Sequence, residues 1–441
     1  MTLLAKRPSR LFAFWAVAIF VSFLLHVFIA ANVCCPTEPL GVDGINYEKA
    51  ATQLLTTKNI LDPLFLDDKA YWPPLWPLVL TLLYSIFGHD LFVARVFLSL
   101  LVTQISIFTF LLAREQFDNK TGVIASLFIA YSPTFFIYAT LHNYEVVIAD
   151  LLIVSLFLVI HSHHLSTARR EFGVLLIAGI LFGLGILTKA ILLAFLPFIV
   201  IWELVQKGKT LHQKIARSFV FTLLAFLTVL PWTARNYLVY RELILVNSNG
   251  DANFEIGNNL YASGGYWIPP EWEWASFKQS KGNPLTRGLG FIRDNPERFL
   301  ELAEKKIELF WSAEPVFYFA NDVIQFEPLT TWGREWLGPH NGEINEMSII
   351  IFSVGAGISI LASMNMIRKR LISYLVILCY SIIHVAIIGE PRFRVPIYPW
   401  IAIFQGYAFA CFIRLSSSLK DQILPWVENF VMNKSHGEHA Y

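Results

Sequence analysis

Apolar runs recur along almost the whole chain, at about 11–31, 93–113, 121–140, 145–161, 172–188, 190–204, 218–233, 347–366, 371–388 and 395–413. Roughly 20 apolar residues cross the ~30 Å hydrocarbon layer as a helix, because every backbone polar group must be satisfied inside the segment there. The first run follows Lys6, Arg7 and Arg10, as the core of a secretory signal would. Its 21 residues exceed the about 7–15 of such a core, and no small-residue cleavage site follows. The expectation is therefore an uncleaved first helix and an all-α polytopic membrane protein. With 55% hydrophobic and 15% charged residues, the chain falls well below the about 25% charge of soluble domains.

A further run, Pro73 to Phe87, decides sidedness. It holds 15 residues, opens on Pro73-Pro74 and is interrupted at Pro77. If it does not cross, one side collects the N-terminus, Arg114 and Lys120, Arg169 and Arg170, Lys207, Lys209, Lys214 and Arg217, and Arg368-Lys369-Arg370. That side is then cytoplasmic by the excess of Lys and Arg in cytoplasmic loops. If it does cross, these clusters fall outside. The expectation is a helix lying on the outer surface, ten spans, and both termini in the cytoplasm.

The same assignment brings Asp43, Glu145 and Glu390 to the outer ends of spans distant in sequence, with Lys189, Arg235, Arg392 and Arg394 beside them. Ionisable groups at membrane depth are costly unless they serve a site. Acids and bases converging on one face suit an anionic, lipid-linked substrate. A net charge of +1 leaves no basic surface for a nucleic acid. Cys34, Cys35, Cys379 and Cys411 form no disulfide framework.

The chain divides into an N-terminal transmembrane module, 1–233, with a first outer loop over 32–92, then an extramembrane segment, 234–346, C-terminal membrane helices, 347–413, and a cytoplasmic tail, 414–441. The extramembrane segment is rich in Gly, Asn, Trp and charge, and reads as a small domain or lid. Within it Glu297 to Trp311 reads as a helix whose Phe299, Leu302, Ala303, Ile307 and Phe310 share a face. His161, His163 and His164 read as interfacial histidines at a cytoplasmic span end rather than a metal tract. The sequon Asn119-Lys-Thr121 falls on the cytoplasmic side and reads as accidental.

Five patches then carry a family resemblance in order: Val42-Asp43-Gly-Ile-Asn-Tyr47, Trp72-Pro-Pro-Leu-Trp-Pro77 with Ala94-Arg95, Ser132-Pro133 through Glu145, Gly185-Ile-Leu-Thr188-Lys189 with Pro231-Trp232 and Arg235-Asn236, and Glu390-Pro-Arg392-Phe-Arg394-Val-Pro396. Ile256-Gly-Asn-Asn259 and Gly264-Gly-Tyr266 add to them. Together they resemble the polyprenyl-phosphate-sugar-dependent integral membrane glycosyltransferases of the C-type fold, which include protein O-mannosyltransferases, the aminoarabinose transferase that modifies lipid A, and the lipopolysaccharide-core galacturonosyltransferases. The resemblance implies a multi-pass enzyme of the cytoplasmic (inner) membrane working on its periplasmic or extracellular face. It implies a polyprenyl-phosphate sugar donor held in the bilayer and a glycolipid, glycan or protein acceptor.

It also implies residue roles. Asp43 is the catalytic carboxylate and a candidate ligand for a divalent metal ion, and Glu145 is the second acid. Tyr47, Lys69, Lys189, Arg235, Glu390, Arg392 and Arg394 bind substrate, the cations meeting the departing phosphate. Each residue also has a plainer reading: Asp43 as a helix cap, Glu145 as a solvated span end, Lys189 snorkelling, and Glu390 clamping an arginine. The family's aminoarabinose branch has Glu-Lys where this chain has Tyr71-Trp72, and Gly44 replaces the second acid of an Asp-Glu pair, so metal dependence stays open. Two other functions fit the same pattern. A lipid-linked-sugar flippase shares the spans and charges, although no duplicated halves are visible. A glycan polymerase or ligase differs only in the donor.

Overall fold

The computed structural model describes residues 10–32, 41–67, 69–266, 283–312, 357, 361 and 367–416. Among them there is no β-strand; the chain is helices and the turns between them. Six helical segments are long and apolar enough to cross a membrane: Arg10–Asn32, Leu91–Gln116, Glu145–Ser162, Ala168–Thr188, Leu211–Tyr240 and Pro391–Ser416. Shorter apolar helices cover Leu75–Phe87, Ala190–Val205 and Arg370–Ala386. The run at 347–366 lies almost wholly outside the described residues.

α1 (Arg10–Asn32) buries one stripe, Trp15, Ile19, Ser22, His26 and Ala30, and leaves large apolar side chains such as Phe14 and Phe20 outward. That three-and-four spacing is one helix face. The buried stripe is fixed by polar contacts, with Trp15 donating to Ser126 Oγ at 2.8 Å and Ser22 to the carbonyl of Ala130 at 2.5 Å. α2 (Gly41–Thr57) and α3 (Leu75–Phe87) pack on each other between α1 and the next long helix. At 13 residues α3 is about 20 Å long, short of a hydrocarbon layer.

α4 (Leu91–Gln116) is followed by α5 (Asn119–Ala130) and α6 (Pro133–Tyr138). The expected single span over 121–140 is thus two helices, because Ser132, preceding a proline, is extended at φ −67° and ψ 125°. The turn after α6 is buried throughout and delivers the chain to α7 (Glu145–Ser162), which is covered on nearly all sides by α4, α8 (Ala168–Thr188) and the 391–397 turn. Residues Ala190–Phe195 form a 3₁₀ turn into α9 (Leu196–Val205), and α10 (Leu211–Tyr240) runs past position 233 before the chain leaves the bundle.

The segment after α10 contributes α11 (Asn249–Gly257), α12 (Pro284–Asp294) and α13 (Pro296–Trp311). Leu302 and Phe310 of α13 are buried as its sequence pattern predicts, but Ile307 is exposed and Lys306 is buried in its place. The reason is a polar partner: Lys306 Nζ donates to Asn258 Oδ1 at 2.9 Å. α14 (Ile367–Ala386) and α15 (398–416) complete the described chain.

Opposite Glu145, a bilayer's thickness away along the 18 residues of α7, about 27 Å at 1.5 Å per residue, the bundle closes on a buried ionic cluster. Arg217 of α10 donates to Glu203 of α9 at 2.7 Å and to Ser162 of α7 at 2.7 Å, and also pairs with Glu171 of α8. His163 adds a 2.9 Å contact to Glu203, and His164 pairs with Glu115 at 2.6 Å. Removing one partner strands a buried charge. Arg217→Ala is therefore expected to destabilise the bundle by about 3–5 kcal/mol, read as a lower unfolding temperature in detergent, with part of the loss recovered by adding Glu203→Gln.

Candidate active site

Three segments far apart in sequence meet at the other end of the bundle. α2 presents Asp43 from its first turn, α7 opens with Glu145, and the 391–397 turn follows Glu390. Arg392 joins them: its Nη1 donates to Asp43 Oδ2 at 2.8 Å, and its Nε lies 3.0 Å from Glu390 Oε2. The second of these is a charge contact without hydrogen-bond alignment, since Nε has no bonded partner among the described residues. Glu145 is fully buried and neither carboxylate oxygen has a hydrogen-bond partner among the described residues. Its charged neighbours are Arg392, Asp43 and Lys189.

Lys189 arrives from the end of α8. The residue is extended, at φ −156° and ψ 117°, which stops the helix and turns the chain. Its ammonium donates to the Tyr144 hydroxyl at 2.8 Å and lies 4.0 Å from the Phe393 ring centroid. Aromatic residues line the rest. Tyr47 meets Trp72 edge-on at 5.5 Å and Tyr144 at 6.1 Å, and Trp72 meets Tyr71 at 5.2 Å. Burial and then the charges of Asp43 and Glu145 raise the Tyr47 phenol well above its ordinary value. Tyr71 is pushed up to about 12, first by burial and then by the Tyr266 phenol and Asp43. Tyr266 is raised in the same way.

The segment after α10 is seated directly on this turn. The Gly389 amide donates to the Gly264 carbonyl at 2.9 Å, and the Tyr266 amide to Glu390 Oε1 at 3.0 Å. Asn258, besides accepting from Lys306, donates to the Ala386 carbonyl at 3.0 Å. Burial pulls the Lys306 ammonium from 10.5 down to about 8. Between those values the unfolded chain keeps a proton that the folded one releases, so stability rises with pH across that window and this contribution is flat below it. Thermal unfolding in detergent is expected to show that rise, by at most one proton's slope, and Lys306→Met is expected to abolish it.

Asp43, Tyr47, Glu145, Lys189, Glu390 and Arg392 are thus brought together. Three other expected substrate cations are used elsewhere. Lys69 pairs with Glu242 at 2.7 Å on the surface. Arg235 holds the connection between α2 and α3, donating to the carbonyls of Ile60 at 2.8 Å and Asp62 at 2.6 Å. Arg394 caps the end of α13 through the carbonyls of Phe310 at 2.5 Å and Ser312 at 2.9 Å. Tyr144, Phe393, Tyr71 and Trp72 were not singled out from the sequence as site residues. Tyr266 was legible only as part of Gly264-Gly-Tyr266.

The described residues do not fit a divalent metal. Asp43 and Glu390 both face the Arg392 guanidinium, Glu145 is the third acid, and no group of three metal-ligating side chains occurs among the described residues. Mg²⁺ and Ca²⁺ take about six or more oxygen ligands and Zn²⁺ about four N, O or S ligands, more than these acids leave open.

The fold is the C-type fold of membrane glycosyltransferases. ArnT from Cupriavidus metallidurans in the apo state superposes with a TM-score of 0.54 at 16% identity, over 90% of this chain and 59% of that one. ArnT bound to undecaprenyl phosphate gives 0.52 at 17%, over 89% and 60%. The Archaeoglobus fulgidus oligosaccharyltransferase AglB, in complex with an inhibitory peptide and a dolichol-phosphate, gives 0.54 at 17%, over 93% and 52%. The same oligosaccharyltransferase has also been crystallised with Zn and sulfate. This chain therefore spans between half and three fifths of the length of these proteins. By sequence, residues 72–233 match the family of dolichyl-phosphate-mannose-protein mannosyltransferases. No curated protein matches the sequence.

Proposed function

We propose that the chain is a membrane glycosyltransferase that moves a sugar from a polyprenyl phosphate to an acceptor hydroxyl on the outer face of the cytoplasmic membrane. The observation that carries this reading is the Asp43–Arg392–Glu390 chain set beside the buried Glu145 and the Lys189 ammonium, at the end of the bundle opposite the Arg217 ionic cluster. The family match and the fold shared with proteins that hold undecaprenyl phosphate and dolichol-phosphate support it.

In the reaction the acceptor oxygen attacks the sugar's anomeric carbon. The bond from that carbon to the phosphate oxygen breaks, and polyprenyl phosphate leaves with the electron pair. Asp43 takes the acceptor's proton, with Glu145 orienting the acceptor beside it. Lys189, whose present partner is a neutral phenol, meets the charge that develops on the phosphate, and Arg392 holds Asp43 in place. Attack from the side opposite the phosphate inverts the anomeric centre. The extramembrane segment over 234–346 acts as a lid on this face.

Purified protein in lipid nanodiscs, given radiolabelled polyprenyl-phosphate mannose and a membrane extract as acceptor, is expected to yield a glycosidic product that survives the mild acid that cleaves the donor's glycosyl phosphate. Movement of the labelled lipid across proteoliposomes with no glycosidic bond made would overturn the reading in favour of a flippase.

A further inference from the structure

We infer that His384 is a positioning residue for the reaction: as an uncharged ring in a stack of three, it ties the Lys189 ammonium to the seating of α13. The inference rests on the reading of Lys189 as the cation that meets the phosphate. It gives a role to a buried group that the reaction scheme leaves unused.

A lysine stem is long and flexible, so an ammonium that must meet a phosphate needs walls. The hydrogen-bond partner of Lys189 is a neutral group, the Tyr144 hydroxyl at 2.8 Å. Two aromatic faces do the rest, with the Tyr144 ring centroid 4.8 Å from Nζ and that of Phe393 4.0 Å from it. A ring attracts a cation through its negative face, so the tilt of Phe393 decides where the ammonium is held. Arg392 lies over the same ring at 5.0 Å. Phe393 itself is only half-buried, and the His384 ring stacks on it at 4.6 Å and 18°. Phe310 of α13 continues the stack, 5.7 Å from His384 at 17°. Both Phe310 and His384 are buried.

The stack requires an uncharged ring at its centre. The charges that face His384 are both cations, Lys189 from the end of α8 and Arg392 from the 391–397 turn. The Tyr380 phenol ring of its own helix, α14, lies 4.8 Å away. Its Nε2 has no hydrogen-bond partner among the described residues. A proton on the ring would set a third positive charge beside two others in a buried place. Uncharged, the ring offers one flat surface to Phe393 and another contact to Phe310, on the helix whose backbone packs against Gly389. Arg394 fixes that end of α13 by donating to the Phe310 carbonyl at 2.5 Å. The end of α8, the 391–397 turn, α14 and α13 are thus joined through rings, and a shift of α13 reaches Lys189. A side chain that only filled volume could be any apolar one; this position needs a flat ring.

The test is a double-substitution cycle on the full chain in lipid nanodiscs. It is read by binding of labelled polyprenyl phosphate and by transfer from labelled polyprenyl-phosphate mannose. Lys189→Met is expected to weaken binding about tenfold and His384→Leu about fivefold, with kcat for transfer falling further in each. In the Lys189→Met background His384→Leu is expected to add less than about a twofold loss, because the group it positions is gone. His384→Phe, which restores a flat uncharged ring, is expected to recover most of the loss. Phe393→Leu, at the half-buried end of the stack, is expected to show the same dependence on Lys189, and it decides the matter where His384→Leu lowers the unfolding temperature. Losses at 189 and 384 that multiply independently, or a His384→Phe variant as impaired as His384→Leu, would overturn the inference. If the protein binds polyprenyl phosphate but makes no glycosidic bond, glycosyl transfer falls and the binding cycle still decides the role of His384. If it binds no polyprenyl phosphate, both fall.

Discussion

Asp43→Asn is expected to lower sugar transfer by about 10² to 10⁴-fold, the usual worth of a positioned acid–base group, with donor binding changed far less. The substitution keeps the side chain's shape and leaves an amide oxygen for the 2.8 Å bond from Arg392, but removes the group that takes the acceptor's proton. Comparing kcat with KM separates the two roles. A base lowers kcat, whereas a residue that merely caps α2 would lower stability and raise KM. Initial rates with labelled donor, alongside unfolding temperatures in detergent, decide it. Transfer within threefold of the unaltered protein's would remove Asp43 from the mechanism.

Gly389→Ala is the second large effect, and it acts without touching any reacting atom. An added Cβ at 389 would strike the Lys306 carbonyl oxygen and lie 2.6 Å from the Lys306 Cα. These are backbone atoms of α13, so no side-chain rotation relieves the clash. Either α13 or the 389–392 turn must move, and that turn carries Glu390 and Arg392 to the site. A misplacement on the order of 1 Å suffices for about a 10²-fold loss of rate. Gly257→Ala is expected to act alike, because its Cβ would lie 2.9 Å from the Ile387 carbonyl carbon. Gly290→Ala is the control: in α12, with nothing within 4 Å of the new carbon, it is expected to leave rate and stability nearly unchanged. Equal behaviour of all three variants would show that the close seating of the extramembrane segment does not matter to the site.

Most of the helices could be read from composition along the chain, because crossing a hydrocarbon layer demands a length and an apolarity that local sequence displays. The reading failed where one residue's backbone overrode hydropathy. The apolar run 121–140 is uniform, yet Pro133 forces Ser132 into an extended conformation and splits it. It also failed where a polar partner overrode periodicity. Lys306 occupies the inner face of α13 because Asn258, from another helix, offers it an oxygen. Among the cations, Lys69, Arg235, Lys189, Arg392 and Arg394 look alike in sequence, each a basic residue near the outer end of an apolar run. Only the fold shows that Lys189 and Arg392 face the enclosed acids, whereas Arg235 and Arg394 use their donors on backbone carbonyls.

The sequence by itself determined that this chain is a helical, multi-pass membrane protein, and it marked Asp43, Glu145, Glu390 and Arg392 as charges out of place in apolar surroundings. Both are local properties, written into runs of neighbouring residues. The tertiary structure alone decided which charges share an enclosure. Asp43 and Arg392 are 349 positions apart, and their 2.8 Å contact depends on α2, α7 and the seating of Gly389 on α13 all at once. Coulomb interactions weaken with distance in space, not along the chain, so the partner of a buried carboxylate follows from packing. The same packing set Tyr71 and Tyr266, from segments nearly two hundred residues apart, around Asp43, and so gave the site its aromatic wall.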